Sequence, residues 1–271
     1  MPDLATAADW LKQADGLLIT AGAGMGIDSG LPDFRGPGGF WRIYPALGKA
    51  GIAFESIANP AAFEHDPALA WGFYGHRLAL YRRTAPHAGF GLLQAIAQPM
   101  RHGAFVFTSN VDGQFQKAGF ATDRICEVHG SIHHLQCSAG CGERIWLADA
   151  FQPQIDEEHC RLLNEPPHCP QCGSVARPNI LMFGDGAWLE RRTEGQYQRL
   201  QTWLAAVDRL VTIEIGAGTH IPTVRHFSET HGSRLIRINP QEADAPSGAC
   251  ALPLGGLAGI EQLYHALALN Q

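Results

Sequence analysis

The sequence predicts an α/β protein: a parallel sheet with helices on both faces, interrupted by a small second unit that enters the chain in pieces. Three observations predict it. Short apolar runs alternate with helical patterns along the chain. A glycine-rich turn, Thr20-Ala-Gly-Ala-Gly-Met-Gly-Ile-Asp-Ser-Gly30, follows the first of those runs. Two stretches, 36–65 and 134–178, break the alternation, and the second carries two cysteine pairs.

Near the start, Thr6 followed by Asp9 resembles a helix cap with an acid in the first turn. Leu17 to Ala21 is a short apolar run that ends in glycines, which reads as a buried strand entering a tight turn. Further strands are expected at 104–108 (AFVFT), more weakly at 124–128, and at 210–215 (LVTIEI) and 235–238 (LIRI). Helical patterns cover 67–83, 88–98, 196–207 and 260–269. Asp66-Pro67 starts the first of these, Asp as the cap and Pro in the first turn. The expected division gives 1–36, 79–133 and 179–271 to the sheet domain, and 37–78 and 134–178 to the small one.

Hydrophobic residues make up 45% of the 271, enough to build a core. The formal net charge of −6 lacks the basic surplus that phosphate-gripping proteins carry, so no specific nucleic-acid partner is expected. No run of about 18 apolar residues exists to span a membrane. The N-terminal stretch has neither the basic start nor the apolar middle of a secretory signal. These features lead to the expectation of a cytoplasmic protein without membrane partners. The oligomeric state stays open.

Of the seven cysteines, four form two close pairs, Cys137 with Cys141 and Cys169 with Cys172, separated by 27 residues. Each pair presents two thiolates from one turn, and two such turns build a closed tetrahedral shell for one structural zinc ion. His134 and His168 lie near the pairs, as stand-in ligands or as ordinary polar neighbours. Cys126, Cys160 and Cys250 stand alone.

The glycine turn is a weak signal by itself. Gly22 and Gly24 let the backbone approach a pyrophosphate. Ile27 occupies the place of the third glycine of the dinucleotide fingerprint, and no Gly-Lys-Ser/Thr comes after it to make a nucleotide P-loop. Longer segments carry more. The segment GAGMGIDSGLPDFRG strongly resembles the NAD-binding signature of sirtuins. Thr108-Ser-Asn-Val-Asp-Gly113 resembles the family's TQNIDG, Glu127-Val-His-Gly-Ser131 its EIHGS, and Arg177-Pro-Asn-Ile-Leu-Met-Phe-Gly-Asp185 its RPxVVxFGE. The cysteine pairs lie between the last two, as they do in that family.

The resemblance implies a Rossmann-like NAD-binding domain, NAD as co-substrate, one structural zinc, and an acylated-lysine protein or peptide as partner. It implies attack of the acyl oxygen on the anomeric carbon of NAD as nicotinamide leaves. The products are deacylated lysine and O-acyl-ADP-ribose. His129 matches the catalytic base, and Asn110 and Asp112 match residues that contact ribose and the nicotinamide carboxamide. Gly22, Ala23, Gly24, Asp33, Phe34 and Arg35 match the nicotinamide and phosphate region, with Ser109 and Val111 beside it. Gly216, Ala217, Gly218, Asn239 and, through a looser match, Cys250 fall toward the adenosine end. Leu181, Phe183, Gly184 and Asp185 match the acyl-lysine tunnel and the edge that pairs with a peptide. Tyr74 and Arg77 reproduce the Tyr-x-x-Arg pair of desuccinylase-type sirtuins, which implies acceptance of succinyl or malonyl groups. Packing of Tyr74 and solvation of Arg77 is the plain alternative.

Three residues are smaller than the family's usual choice: Gly26 for Ser or Ala, Ser109 for Gln, and Gly218 for Ser. They keep open a second reading, an NAD hydrolase or ADP-ribosyltransferase without an acyl-lysine substrate. A non-enzymatic zinc module is a third.

Overall fold

The computed structural model describes residues 4–32 and 36–269. Its largest element is a six-stranded, all-parallel sheet, formed by β1 (Gly16–Ala21), β2 (Ala104–Thr108), β3 (Ile125–Glu127), β9 (Leu210–Ile215), β10 (Leu235–Ile238) and β11 (Cys250–Leu252). The order across the sheet is β11-β10-β9-β1-β2-β3. The chain therefore runs outward from β1 in one direction and restarts beside it in the other. That reversal leaves a crevice at the carboxyl ends of β1 and β9, where open α/β sheets bind ligands.

Strand β1 is buried at all six positions, as its unbroken apolar run requires. One face of the sheet is covered by α1 (Leu4–Gln13), α7 (Gly89–Ala97) and α11 (Gly256–Leu269), joined in one apolar cluster through Leu17, Ile19, Val106, Ile213 and Ile260. Leu18, Phe105 and Phe107 point to the other face, against α9 (Arg191–Ala206) and α10 (Thr223–Thr230).

A second body of structure lies over the carboxyl ends of the strands. It comprises α2 (Gly36–Ile43), α3 (Pro45–Lys49), α4 (Phe54–Ile57), α5 (Ala61–His65) and α6 (Pro67–Arg83), whereas the short α8 (Gln114–Lys117) after β2 packs Phe115 into the core of the parallel sheet. Strands β4 (Gly130–Cys137), β5 (Ile145–Leu147) and β8 (Ala176–Ile180) form an antiparallel sheet in the order β5-β4-β8. β6 (Ile155–Asp156) and β7 (Arg161–Leu162) form a small hairpin. Helix α6 begins as expected, with the Asp66 carboxylate accepting from the Leu69 N–H at 3.1 Å. Trp71, Phe73, Tyr74, Leu78 and Tyr81 of α6 are all buried, so this helix is enclosed around most of its girth. The divisions expected at 78/79, 133/134 and 178/179 fall inside α6, β4 and β8.

Two expectations need correction. Thr6 lies inside α1 and does not cap it. α9 begins at Arg191, five residues before the expected start, because its polar first turn hides the apolar period. α10 and β11 went unforeseen: one is short and mostly polar, the other is three residues long. No helix among the described residues is long and apolar enough to cross a membrane.

Candidate active site and metal centre

A cavity of about 990 Å³ opens between the carboxyl ends of the strands and the helical layer. Loops after five of the six strands contribute to it. Gly22 and Ala23 come from the end of β1, Ser109 to Asp112 from β2, and His129 from β3. Gly216 to Ile221 come from β9, and Gln241 and Glu242 from β10. Phe40, Trp41, Phe54, Tyr74, Arg77 and Tyr81 form the opposite wall, and Leu181 to Phe183 close one end.

The glycines after β1 have a local reason. A Cβ on Gly22 would stand 2.7 Å from the Gly216 carbonyl oxygen, and one on Gly24 would stand 2.5 Å from the Gly216 Cα. Two strand-end loops meet there backbone to backbone, sealed by the Gly24 N–H donating to the Gly216 carbonyl at 3.0 Å. Gly24 thus serves the packing of the loops and is absent from the cavity lining, whereas Gly22 lines it. Gly26 is also buried away from the lining, and a Cβ there would press on Leu31 at 2.9 Å. Its small size makes room for Leu31. Gly218 does line the cavity, and a Cβ on it would meet only Glu242, at 3.7 Å.

The segment after β2 is held by its own side chains. Thr108 Oγ1 donates to the Ala21 carbonyl at 2.8 Å and accepts from the Asn110 N–H at 3.0 Å, while Asn110 Nδ2 donates to the Gly22 carbonyl at 2.9 Å. Asp112 is 8% exposed, and its carboxylate accepts the Gln114 N–H at 2.9 Å. Burial, partly offset by that hydrogen bond, pushes its carboxyl up to about 6. Behind it, His133 Nε2 donates to the Asp112 carbonyl at 2.9 Å.

His129 sits in the link between β3 and β4. Its carbonyl accepts the Leu181 N–H at 3.0 Å, and its Nε2 lies 3.5 Å from Thr223 Oγ1 at the start of α10. Gly130 follows with φ of +80°, and a Cβ there would strike the Asn179 carbonyl oxygen at 2.1 Å. Only glycine lets β4 lie this close to β8, and the same turn sets the imidazole in the cavity. Burial lowers the His129 pKa, so the ring is neutral at pH 7 and available to accept a proton.

Tyr74 and Arg77 are both buried and line the same cavity. Arg77 donates from Nε and Nη2 to Tyr81 Oη at 3.0 and 2.9 Å, and its guanidinium lies 5.2 Å from the Phe73 ring centre. Of the plain alternative, the packing of Tyr74 is seen, against Phe63 and Phe73, while a solvated Arg77 is excluded. At the other end, Phe183 meets Phe54 edge to face with 5.8 Å between ring centres. Gly184 and Asp185 lie outside the lining. The Asp185 carboxylate is turned inward and grips Arg177 with two bonds of 2.8 Å, both side chains being almost wholly buried. It anchors the turn beyond Phe183.

Two residues expected at the adenosine end also lie outside the lining. Asn239 is fully buried, with Nδ2 donating to the Ala217 carbonyl at 2.9 Å and Oδ1 accepting from the Gln241 and Glu242 N–H groups. It positions both loops and does not reach the cavity. Cys250 opens β11 and packs in the sheet core, so the strand's own burial keeps it from the lining. Asp33, Phe34 and Arg35 lie outside the described residues. Sequence reasoning missed Thr219, His220, Ile221, Val224 and Glu242, and the aromatic wall of Phe40, Trp41 and Phe54. The apolar members of α2 and α4 were the only available signal.

The four paired cysteines converge. Cys137 Sγ lies 3.6 Å from Cys172 Sγ, Cys141 Sγ lies 3.5 Å from Cys169 Sγ, and all four sulfurs fall within 4.8 Å of one another. A tetrahedral zinc thiolate shell has sulfurs roughly 3.8 Å apart, so the donor set and spacing suit one zinc ion. Neither histidine joins it: His168 Nδ1 bonds to the Gly173 carbonyl, and His134 is not among the four convergent residues. The metal would tie the end of β4 to the segment before β8, away from the cavity, in a structural role.

A doubly wound parallel sheet with a four-cysteine module and a cavity at its switch point defines a class of nucleotide-binding α/β proteins. The comparisons specify it further. A model of the Sir2 family matches residues 22–219, and the chain belongs to that family. It is similar to an NAD-dependent protein deacylase of Thermus thermophilus, 29% identical over 268 residues, covering 97% of this chain and 94% of that protein. It is also similar to NAD-dependent protein deacylase 2 of Pseudomonas syringae pv. tomato, 31% identical over 238 residues, covering 88% and 89%. Among solved structures, a Sir2 homologue in complex with NAD superposes with a TM-score of 0.71 at 23% identity, covering 97% of this chain and 93% of that one. At that identity the likeness establishes the shared fold.

Proposed function

We propose that this protein removes acyl groups from protein lysine with NAD as co-substrate, giving nicotinamide, O-acyl-ADP-ribose and free lysine. The observation that carries the reading is a single cavity lined by the Gly22-Ala23 turn, Asn110, Asp112, His129, the Gly216 loop and Leu181 to Phe183. The family's relatives named as NAD-dependent protein deacylases support it. Bound NAD supplies an activated anomeric carbon. In this reading Asn110 and Asp112 hold the carboxamide and ribose end, and neutral His129 takes the proton of a ribose hydroxyl. The Gly22 and Gly216 loops cradle the phosphates. Phe183 walls the acyl-lysine channel, the Leu181 carbonyl accepts the lysine amide N–H, and main-chain groups of the 183–185 turn hold the peptide.

Tyr74 and Arg77 extend the reading to carboxylated acyl groups. A guanidinium already buried and oriented by Tyr81 loses little freedom on meeting a succinyl carboxylate. The test is a panel of acetyl-, malonyl- and succinyl-lysine peptides incubated with NAD and analysed by mass spectrometry. O-acyl-ADP-ribose formed in step with free lysine supports the reading. Free ADP-ribose or ADP-ribosylated protein without deacylation supports the hydrolase or transferase alternative.

A further inference from the structure

The chain carries 20 Lys and Arg against 26 Asp and Glu, yet six of those 20 cations line one open cleft of about 1250 Å³. They are Arg82, Lys117, Arg144, Arg191, Arg192 and Arg199. Only three carboxylates share the lining: Asp112, Asp123 and Glu143. Asp112 and Tyr81 belong also to the catalytic cavity, so the two spaces sit back to back across them.

Three of these cations are fixed in place by neutral acceptors, without being cancelled. Arg82 donates to the Ala148 and Phe151 carbonyls at 2.8 and 2.7 Å, and Lys117 to the Arg82 and Thr84 carbonyls at 2.7 and 2.6 Å. Arg199 donates to the Asp123 carbonyl at 3.4 Å. Neutral acceptors orient a cation and leave its charge to act on a ligand. Arg192 meets a carboxylate, that of Glu127. Arg144 and Arg191 are exposed and form no ion pair among the described residues. His134 registers the same field: burial, then Arg192 and His133, push its imidazole down to about 4.

Two further features shape the ligand. Arg191 and Arg192 open α9, a 16-residue helix whose N-cap residue Glu190 makes no side-chain cap bond. Glu190 and Glu194 offset the positive end of that helix, so Arg191 acts on the cleft through its own charge. Facing it, Ile145 and Leu147 present apolar surface, Leu147 being 58% exposed. A lone phosphate satisfies two or three donors. Arg192 apart, five cations spread along a space of this size match an extended chain of phosphates, and arginine forks fit phosphate oxygens.

We propose that this cleft is a second, non-catalytic anion site that takes a polyphosphate chain, either free or carried on a nucleotide whose base rests on Ile145 and Leu147. The site is independent of the deacylase reading. The test titrates the full chain calorimetrically with tripolyphosphate and with ATP at low salt, beside the double variant Arg144→Gln/Arg191→Gln. Hydrogen exchange maps the protected amides. Both side chains are exposed and outside the catalytic cavity, so the variant keeps its fold. Tripolyphosphate binding should weaken by about a hundredfold in the variant, since each of the two lost charged hydrogen bonds is worth about tenfold. Amides of 191–199 and 143–147 should gain protection. Tighter binding of ATP than of tripolyphosphate identifies the nucleotide as the carrier, and equal binding identifies the phosphate chain alone. Absence of heat with both probes, equal binding by parent and variant, or protection confined to 216–221 would overturn the proposal.

Discussion

Asp112 is a carboxylate whose burial should reduce the stability of the fold, and replacing it by asparagine should reveal how much. The carboxyl rises from an ordinary value of 3.8 to about 6 on folding, chiefly through burial. At about 1.36 kcal/mol per pKa unit, the ionised group costs the folded state about 3 kcal/mol. The sign follows from the direction of the shift. Because the folded pKa lies above the unfolded one, the cost is absent below pH 3.8, grows as pH rises, and is complete above about 6. Asparagine keeps an oxygen for the Gln114 N–H and carries no charge. Asp112→Asn should therefore be more stable than the parent by about 3 kcal/mol at pH 8 and by about half that at pH 5. For a chain of this size the gain at pH 8 corresponds to roughly 6–12 °C in Tm. Thermal and urea unfolding at the two pH values measure it. A variant less stable than its parent at pH 8, or a gap that does not change with pH, would refute the reasoning.

Three further outcomes are expected. His129→Ala should lower turnover by about 100-fold or more with little change in Tm. In the parent the acid limb of kcat/KM should fall below about pH 6.5, because burial lowers His129 from its ordinary value and pushes Asp112 up only to about 6; a limb above 6.5 would contradict this. The purified chain should hold one zinc, lost with Cys137→Ser, and chelation should expose the amides of β4, β5 and β8 to exchange; unchanged protection would deny the metal a structural role. Arg77→Met should cut desuccinylation at least about tenfold more than deacetylation, whereas equal losses would remove carboxylate recognition from the account.

The elements that were legible in the sequence are those whose neighbours are fixed by a local rule. LLITA, AFVFT and LVTIEI are buried on both faces, so unbroken apolar runs marked them. The Asp66-Pro67 cap set the start of α6 to the residue. The cysteine pairs were legible because a metal demands that spacing, whatever the surrounding fold. The Gly22 and Gly24 turn was legible as a place of close approach, but not for the right partner. The sequence suggested a ligand for both, while Gly24 meets the backbone of Gly216, 192 residues away. For Asn239 and Asp185 the sequence could not show that each side chain also holds a loop, since their partners come from the fold. The aromatic wall of Phe40, Trp41 and Phe54 escaped because α2 and α4 are short and packed by distant residues, which no period records.

The central claim is that one cavity holds both a dinucleotide and an acyl-lysine with the His129 imidazole between them. A crystal structure of the full chain with a non-cleavable NAD analogue and an acetyl-lysine peptide tests it directly. The account predicts His129 Nε2 within roughly 3 Å of a ribose hydroxyl and the acyl group entering beside Phe183. An imidazole turned away from the sugar, or a peptide seated elsewhere, would contradict it.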